Sequence, residues 1–170
     1  SKIKIAKKDK ILCAKFRNGH FEGVLDVMDR LTRYIKPKNI YMGEKDYQQF
    51  FLVNKFLKKK YKTKIICSKT IREKNKLALS SRNLMLDRKS FLKAGKIAEN
   101  LMKFKRTLKN KKKISYFLIE KKKFFEKFFQ IKIEYLELRK MNTLKISKKI
   151  TKSKLFLAYH LNKVRLIDNF

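Results

Sequence analysis

The chain has 170 residues, 44% of them hydrophobic, enough to bury the core of one domain with or without a smaller appendage, which excludes a disordered chain. Its 48 basic and 14 acidic residues give a formal charge of +34, a balance typical of proteins that bind nucleic acid or anionic membranes. However, 39 of the basic residues are Lys and only 9 are Arg, spread through every segment, whereas recognition of bases and phosphates usually depends on Arg. We attribute the charge to a drift of the whole composition and expect no specific nucleic-acid partner.

The sequence contains no recognisable metal-binding, redox or membrane-spanning segment. Cys13 and Cys67 lack the spacing of a zinc knuckle or a redox pair, so we expect reduced thiols. No apolar stretch approaches the length of a membrane span, and lysines interrupt any early apolar run. We therefore expect a cytoplasmic protein that binds neither a metal through dedicated ligands nor a membrane.

The first segments predict a strand or loop followed by a helix. Alternation at Ile3 and Ile5 favours strand and loop over Ser1 to Phe16. From Phe21 the apolar residues recur at helical spacing until Pro37 ends the pattern. The inward face predicted for this helix consists of Val24, Val27, Met28, Leu31, Tyr34 and Ile35.

Next come two predicted strands that flank a second helix. The strands are Asn39 to Met42 and Lys64 to Cys67, and the helix is Glu44 to Tyr61, with Tyr47, Phe50, Phe51 and Leu57 inward. Helix, strand, helix, strand with short connections predicts a parallel sheet covered by helices. In such sheets ligands bind beyond the carboxyl ends of the strands, where Gly43 and the segment after Cys67 lie.

The stretch from Tyr41 to Gln49 is the first candidate site. Gly43 is placed as the pivot from strand to helix, and a helix N-terminus is a natural anion site. Lys45 adds a cation, Asp46 an acceptor for sugar hydroxyls, and Gln49 a polar group one turn beyond Lys45. The stretch fits a nucleotide-binding shelf, but an ordinary solvated helix start has the same composition.

Beyond a boundary near Thr70 the pattern predicts a separate α+β unit. Ser68 to Asn83 is predicted as a loop, and Asp87 as the start of a helix. The inward residues of that helix are Phe91, Ala94, Ala98, Leu101 and Met102, and those of the following helix are Ile114, Phe117, Leu118, Phe124, Phe125 and Phe128. Strands are predicted around Ile131 to Tyr135, Leu155 to Leu161 and Val164 to Ile167.

A second candidate site is the tripeptide Ser80-Ser81-Arg82. Two hydroxyls beside a guanidinium can bind a phosphate, although the same residues are typical of a loop that caps a helix. Arg72 and Glu73 are interpreted as a surface ion pair. His20 could meet an anionic substrate at its turn, whereas His160, inside an apolar strand, is interpreted as structural.

Five blocks in order resemble the pantothenate synthetase family, also called pantoate beta-alanine ligase. The blocks are Arg17-x-Gly19-His20-Phe21-x-Gly23-Val24, Gly43 to Gln49, Arg72-Glu73 with Leu77 to Asn83, Tyr135 to Arg139, and Arg165 to Asn169. The resemblance implies an α/β fold, in which 1–70 is the last part of a Rossmann-like nucleotidyltransferase parallel sheet. Residues 71–170 would form a small α+β C-terminal domain that bears the phosphate-binding loop.

The resemblance also implies a two-step reaction and the residues that serve it. ATP with Mg²⁺ adenylates pantoate, and β-alanine then attacks the acyl adenylate to give pantothenate and AMP. Lys45, Ser80, Ser81 and Arg82 would be catalytic, Gln49 would bind pantoate, and a homodimer is implied. ATP would be bound by Gly43, Glu44, Lys45, Asp46, Ile71, Leu79, Ser80, Ser81 and Arg82.

The chain departs from the family's pattern in three places. Asn18 stands where the family usually has Pro, and Lys74-Asn75-Lys76 replaces the usual Pro-Asp-Gly, which removes a flexible glycine from the loop. We expect a left-handed Asn75 to preserve that turn. The family's His-x-Gly-His motif is absent, so we interpret the chain as the C-terminal portion of a full enzyme, at best weakly active alone. The alternative hypothesis is a nonenzymatic, Lys-rich nucleic-acid-binding module.

Overall fold

The computed structural model describes residues 3–110 and 113–170, which leaves Ser1 and Lys2 of the predicted first segment outside the described residues. The chain divides into two compact units, Ser1–Lys69 and Thr70–Phe170, and each is described by itself. The helices are α1 (Cys13–Phe16), α2 (His20–Ile35), α3 (Tyr47–Leu57), α4 (Arg88–Thr107) and α5 (Ile114–Phe129). The strands are β1 (Asn39–Gly43), β2 (Lys64–Ser68), β3 (Lys132–Lys140), β4 (Ser153–Leu161) and β5 (Val164–Asn169).

The first unit is built on the parallel pair that the sequence predicts. β1 and β2 run side by side from the pair Asn39 and Lys64 to the pair Gly43 and Ser68, and α3 makes the crossover between them. Both strands therefore end at the same edge of the sheet, just before the segments that carry the candidate site residues. The predicted α/β class of this unit is confirmed.

The first unit differs from the prediction in one strand and in both ends of the second helix. Ile3 and Ile5 form no strand; the chain instead makes a 3₁₀ turn at Lys7–Asp9 and then enters α1. The second helix begins at Tyr47 rather than Glu44, because Glu44–Asp46 is a separate 3₁₀ turn. It ends at Leu57, where the amides of both Lys60 and Tyr61 turn back onto the Leu57 carbonyl.

The helix α2 is where the sequence predicts it, but its buried face is not the predicted one. Phe21, Leu25 and Thr32 are buried, whereas four of the predicted inward residues are largely exposed: Val27, Leu31, Tyr34 and Ile35. Thr32 can be buried because its hydroxyl donates to the Met28 carbonyl at 2.6 Å. A prediction based only on apolar residues therefore missed Thr32, one of the buried residues of α2.

In α3 the prediction is half right. Tyr47 and Leu57 are buried as expected, but Leu52 and Val53, which were not predicted to face inward, are buried as well, while Phe50 and Phe51 remain half-buried. A helix enclosed on more than one side buries adjacent residues, which the spacing of a single apolar stripe does not anticipate.

The second unit is the α+β arrangement that the sequence predicts. Its antiparallel sheet has the order β3-β4-β5, and α4 and α5 contribute to one core with it. Asp87 caps α4 as expected, with its carboxylate accepting from the Ser90 amide at 2.7 Å. The side chains at the centre of the core are fully buried, among them Ile97, Leu101, Phe125, Leu138, Leu155 and Leu157.

The phenylalanine stripe of α5 is only partly core. Phe125 is fully buried, but Phe124 and Phe128 are 50% and 67% exposed and stack on each other with centroids 5.3 Å apart. Lys121 lies over the rings of Phe104, Phe124 and Phe125, at 5.4, 5.0 and 4.6 Å from their centroids. Partial burial lowers the pKa of Lys121, since the uncharged amine is easier to remove from water.

Candidate functional site

Gly43 ends β1 in an ordinary extended conformation, with φ of −68° and ψ of 134°. A side chain at this position would meet nothing within 4 Å, so neither backbone strain nor crowding at Gly43 requires glycine. The chain then passes through the 3₁₀ turn Glu44–Asp46 before α3 begins. The predicted direct step from strand to α-helix at Gly43 is thus wrong, and an extra turn separates them.

Lys45 and Asp46 lie together in that 3₁₀ turn. The Lys45 Nζ is 3.2 Å from the Asp46 carboxylate, and the lysine side chain is only 18% exposed against 43% for the aspartate. A partly buried ammonium keeps more of its electrostatic strength than one in bulk water. The pair thus offers a cation and a hydrogen-bond acceptor side by side at the carboxyl edge of the parallel sheet.

The two glutamines that follow have different environments. Gln48 is buried and donates to the Ile11 carbonyl at 2.7 Å and to the Asp9 carbonyl at 3.4 Å. It therefore fastens the segment before α1 to α3. Gln49, the residue predicted to bind pantoate, is only half-buried and keeps part of its surface accessible.

The second set of candidate residues follows a hairpin over 71–79. Glu73 donates to the Leu77 carbonyl and Leu79 donates to the Ile71 carbonyl, at 2.8 and 2.9 Å. The side chains of Ile71 and Leu79 are 71% and 52% exposed. The Leu79 amide is already used in this pair, so it is not the donor for a backbone contact to a ligand, whereas a carbonyl oxygen has a second lone pair.

Ser80, Ser81 and Arg82 form the turn after this hairpin. Ser80 caps the 3₁₀ helix Ser81–Met85 by accepting a 3.3 Å hydrogen bond from the Arg82 amide. Ser81 is exposed and Arg82 is half-buried. The predicted capping role is therefore present at Ser80, and it uses a lone pair of the hydroxyl oxygen rather than the hydroxyl proton.

Asn83 stabilises this turn through its side chain. It is buried, and its Nδ2 donates to the Ala78 carbonyl at 3.1 Å, which joins the end of the hairpin to the 3₁₀ helix. The last residue of the motif thus has a structural task, which the sequence did not reveal.

Arg72 is not part of the surface ion pair with Glu73 that the sequence suggests. Its guanidinium forms a bidentate pair with Asp168, at 2.7 and 2.9 Å, and Asp168 is only 6% exposed. Adjacent residues of an extended segment point to opposite sides, so an ion pair between Arg72 and Glu73 is geometrically disfavoured. The pair instead connects two of the five sequence blocks.

The two histidines have local partners. His20 is the first residue of α2 and its ring lies 4.9 Å from that of Phe21. Arg17 is half-buried two residues before Gly19, whose φ of 74° is left-handed. His160 lies in β4 with Nε2 2.8 Å from Glu134, in keeping with the structural role expected of it.

Within residues 3–110 and 113–170, no group of three or more His, Cys, Asp or Glu side chains is placed to hold a metal ion. None of the helices in that part of the chain is both long and apolar enough to cross a membrane.

Comparison with known families gives a match over the whole length. The profile of the family described as pantoate-beta-alanine ligase covers residues 1–170. The chain belongs to this family. The resemblance carried by the five sequence blocks is thereby confirmed.

The curated relatives of this chain are named pantothenate synthetase. The protein of Flavobacterium psychrophilum is 36% identical over 161 residues, which are 91% of this chain and 56% of the relative. That of Campylobacter hominis is 35% identical and covers 94% of this chain and 58% of the relative. The chain therefore spans somewhat more than half the length of these relatives.

Solved structures of pantoate-beta-alanine ligases share the fold. A pantothenate synthetase from Thermus thermophilus aligns with a TM-score of 0.84 at 25% identity, over 100% of this chain and 63% of its own. The Francisella tularensis ligase, solved with beta-gamma ATP and beta-alanine, aligns with a TM-score of 0.76 at 34% identity, over 99% of this chain and 56% of its own. The predicted fold class, a parallel sheet followed by an α+β unit, is confirmed.

The replaced Pro-Asp-Gly is the departure from the ligase pattern that the structure explains best. The turn survives, with the Lys76 amide donating to the Glu73 carbonyl at 2.9 Å. The left-handed residue is Lys76, with φ of 75°, rather than the expected Asn75. Lys76 stands where the pattern has glycine, so the backbone conformation is retained at the strain cost of a side chain there.

Asn75 stabilises the same turn through its side chain. Its Oδ1 accepts from the Leu77 amide and its Nδ2 donates to the Phe91 carbonyl, both at 3.1 Å. The first bond stabilises the turn itself and the second joins it to α4, and together they offset part of the strain at Lys76.

Proposed function

We propose that this chain belongs to an ATP-dependent, AMP-forming ligase that joins pantoate to β-alanine. In the first step the pantoate carboxylate attacks the α-phosphorus of ATP, forming pantoyl adenylate and releasing pyrophosphate. In the second the amine of β-alanine attacks the acyl carbon, releasing AMP and giving pantothenate. The supporting observation is the family match over residues 1–170, together with a relative solved with beta-gamma ATP and beta-alanine.

The residues of the first unit suit the nucleotide and the acid substrate. Lys45 would stabilise charge on the transferring phosphoryl group, and Gly43, Glu44 and Asp46 would contact the adenosine portion. Gln49 would hydrogen-bond pantoate. Such chemistry needs positioning and charge stabilisation rather than a covalent enzyme nucleophile.

The residues of the second unit suit the phosphates and the base. Ser80, Ser81 and Arg82 would contact phosphate oxygens, where bonds to charged groups contribute about 1.5 to 3 kcal/mol each. Ile71 and Leu79 would flank the adenine. Mg²⁺ would enter with ATP and spread the phosphate charge.

We extend the proposal to the protein's setting and assembly. The complete protein is proposed to be a cytoplasmic homodimer, and residues 1–170 alone to be at best weakly active. Formation of AMP by residues 1–170 at a normal enzymatic rate, dependent on both pantoate and β-alanine, would contradict the last point.

Lys45→Ala in the complete protein tests the proposal. We expect pantoate-dependent exchange between ATP and pyrophosphate to fall about 100- to 1,000-fold, the usual cost of removing one group that stabilises the transition state. The matched control is Lys59→Ala, which removes an exposed lysine after the end of α3. An unchanged exchange rate in Lys45→Ala would remove Lys45 from the mechanism.

A further inference from the structure

The side chain of Arg72 connects three parts of the second unit. One guanidinium nitrogen, Nη1, donates to the Asp168 carboxylate at 2.7 Å and to the Lys76 carbonyl at 3.0 Å. The other, Nη2, donates to Asp168 at 2.9 Å and to the Asn169 carbonyl at 3.2 Å. The guanidinium carbon also lies 4.9 Å from the centroid of the Phe170 ring. One side chain thus holds the turn of the hairpin and the end of β5.

The Asp168 end of this pair is rigid. Asp168 pairs with Leu157 in the register of β4 and β5, and its carboxylate also accepts from the Asn169 amide at 2.7 Å. The chain end is fastened as well, because Phe170 and Leu155 exchange two backbone hydrogen bonds of 3.0 Å. The antiparallel sheet therefore provides a fixed point to which the hairpin is attached.

The hairpin leads directly into the phosphate-loop candidates. Arg72 and Ala78 form an antiparallel bridge, and Asn83 then joins Ala78 to the 3₁₀ helix that Ser80 caps. β5 also contacts that 3₁₀ helix. Loss of the pair with Asp168 would thus release the hairpin at its base and let the turn Ser80–Arg82 shift.

We propose that Arg72 is a positioning residue, which through Asp168 holds the hairpin 71–79 so that Ser80, Ser81 and Arg82 are placed for the phosphates of ATP. This inference rests on the proposed function. Arg72 itself need not touch the nucleotide, because its guanidinium is already engaged by the sheet. Arg72 and Asp168 then act together to position the hairpin, although neither residue contacts the phosphates.

The test is Asp168→Asn in the complete protein, which keeps the size of the side chain and removes its charge. We expect the KM for ATP to rise about 10- to 100-fold, since small misplacement of binding groups has effects of this size. The KM for β-alanine should change less than threefold. Arg72→Lys should reproduce the effect, because an ammonium cannot form the bidentate pair.

The second unit offers a matched control for structural damage. Glu134 forms a bidentate pair with Arg165, with side-chain exposures of 9% and 16%, close to the 6% and 18% of Asp168 and Arg72. Glu134 lies on β3, and its partners His160 and Arg165 lie on β4 and β5 rather than on the hairpin. Glu134→Gln should therefore destabilise the same sheet while leaving the KM for ATP within about twofold of the unsubstituted value.

The outcomes separate this inference from the proposed function. If the unsubstituted protein shows no pantoate-dependent exchange between ATP and pyrophosphate, the proposed function fails. If it is active and Asp168→Asn and Arg72→Lys both keep the KM for ATP, the positioning role is wrong. Equal rises of this KM in Asp168→Asn and Glu134→Gln would also overturn it.

Hydrogen exchange tests the same inference in a variant whose activity is too low for kinetic measurement. Hydrogen exchange at the Leu79 and Arg82 amides should accelerate at least tenfold in Arg72→Lys but not in Glu134→Gln. Equal exchange at these amides in both variants would contradict the inference.

Discussion

Gly95 lies on α4 where the helix meets the turn around Asn75. A Cβ built at this position would lie 2.6 Å from Asn75 Cγ and Nδ2 and 2.7 Å from the Asn75 carbonyl oxygen. Real structures do not tolerate such distances, so the turn or the helix would have to move. Glycine is required here by close packing rather than by backbone conformation.

Gly95→Ala should therefore lower the free energy of unfolding by about 1 to 3 kcal/mol, the usual range for overpacking. Gly23→Ala is the control, because a side chain there meets nothing within 4 Å. Within α2 that change should be neutral or stabilising by about 0.5 to 1 kcal/mol. Urea unfolding of both variants gives the measurement, and an unchanged midpoint for Gly95→Ala would show that the contact can relax.

Glu134 gives the second unit a pH-dependent stability. Burial by itself would raise the pKa of Glu134, but hydrogen bonds from Arg165 and His160 and their positive charge outweigh it, so the pKa lies below the ordinary 4.5. A carboxylate whose pKa is lower in the folded state stabilises the protein above the unfolded pKa. That contribution is lost as the pH falls through the folded value, in the window below 4.5.

Comparison with Glu134→Gln tests the direction of this pH dependence of stability. Below pH 4.5 the unsubstituted protein should lose stability more steeply than the variant does, because the variant has no carboxylate to protonate at this position. Urea midpoints at several pH values measure the difference. Parallel curves would mean that the pair contributes no differential proton binding.

At the residue scale the sequence suggests candidate site residues but not their structural partners. Lys45, Ser80 and Arg82 stay predictions, chosen because ammonium, hydroxyl and guanidinium groups suit phosphate chemistry. The partner of Arg72 lies 96 residues away in the chain, and a single sequence contains no signal for a pair at that separation. The left-handed Lys76 was missed for a different reason, since propensity favoured Asn75 while the turn geometry set the strained position one residue later.

At the scale of elements the hydrophobic period located the long helices and the five strands of the described residues, but it also predicted a strand near Ile3 that does not form. The faces were harder, as α2 and α5 show. In a chain rich in Ile, Phe and Tyr, apolar residues also occupy exposed positions, so more than one face has helical spacing. Only the surrounding structure decides which face is buried.

Two leucines on α2 test which face of this helix is buried. Leu25 is 4% exposed and Leu31 is 48% exposed. Leu25→Ala should lower the free energy of unfolding by about 2 to 5 kcal/mol, whereas Leu31→Ala should cost about 1 kcal/mol or less. Thermal unfolding of the two variants measures the contrast, and equal losses would mean that the Leu31 face is covered in the complete protein.

For the whole molecule the dominant property is its charge of +34. If this charge is compositional, binding to duplex DNA should be nonspecific and should weaken about 10³- to 10⁵-fold between 50 and 200 mM salt for 6 to 10 phosphate contacts. Fluorescence titration at two salt concentrations measures the slope. Tight binding that persists near physiological salt would instead favour the nucleic-acid-binding module as the function.

The order of secondary structure along the molecule could be predicted because two periods alternate in the first part, whereas the second part has helices followed by strands. The short turn Glu44–Asp46 could not, since three residues are too few to show a period. The hydrogen bonds by which Gln48 and Asn83 stabilise the structure could not be predicted either, for a different reason. Their partners are backbone carbonyls, which look the same at every position of a sequence.

The aromatic surroundings of Lys121 have a consequence for chemical reactivity. Because burial lowers its pKa, Lys121 carries more uncharged amine at a given pH than a lysine in water. The uncharged amine is the nucleophile towards acyl donors. A limiting dose of an amine-selective acylating reagent should therefore modify Lys121 early, which would give this lysine-rich protein a distinctive labelling site.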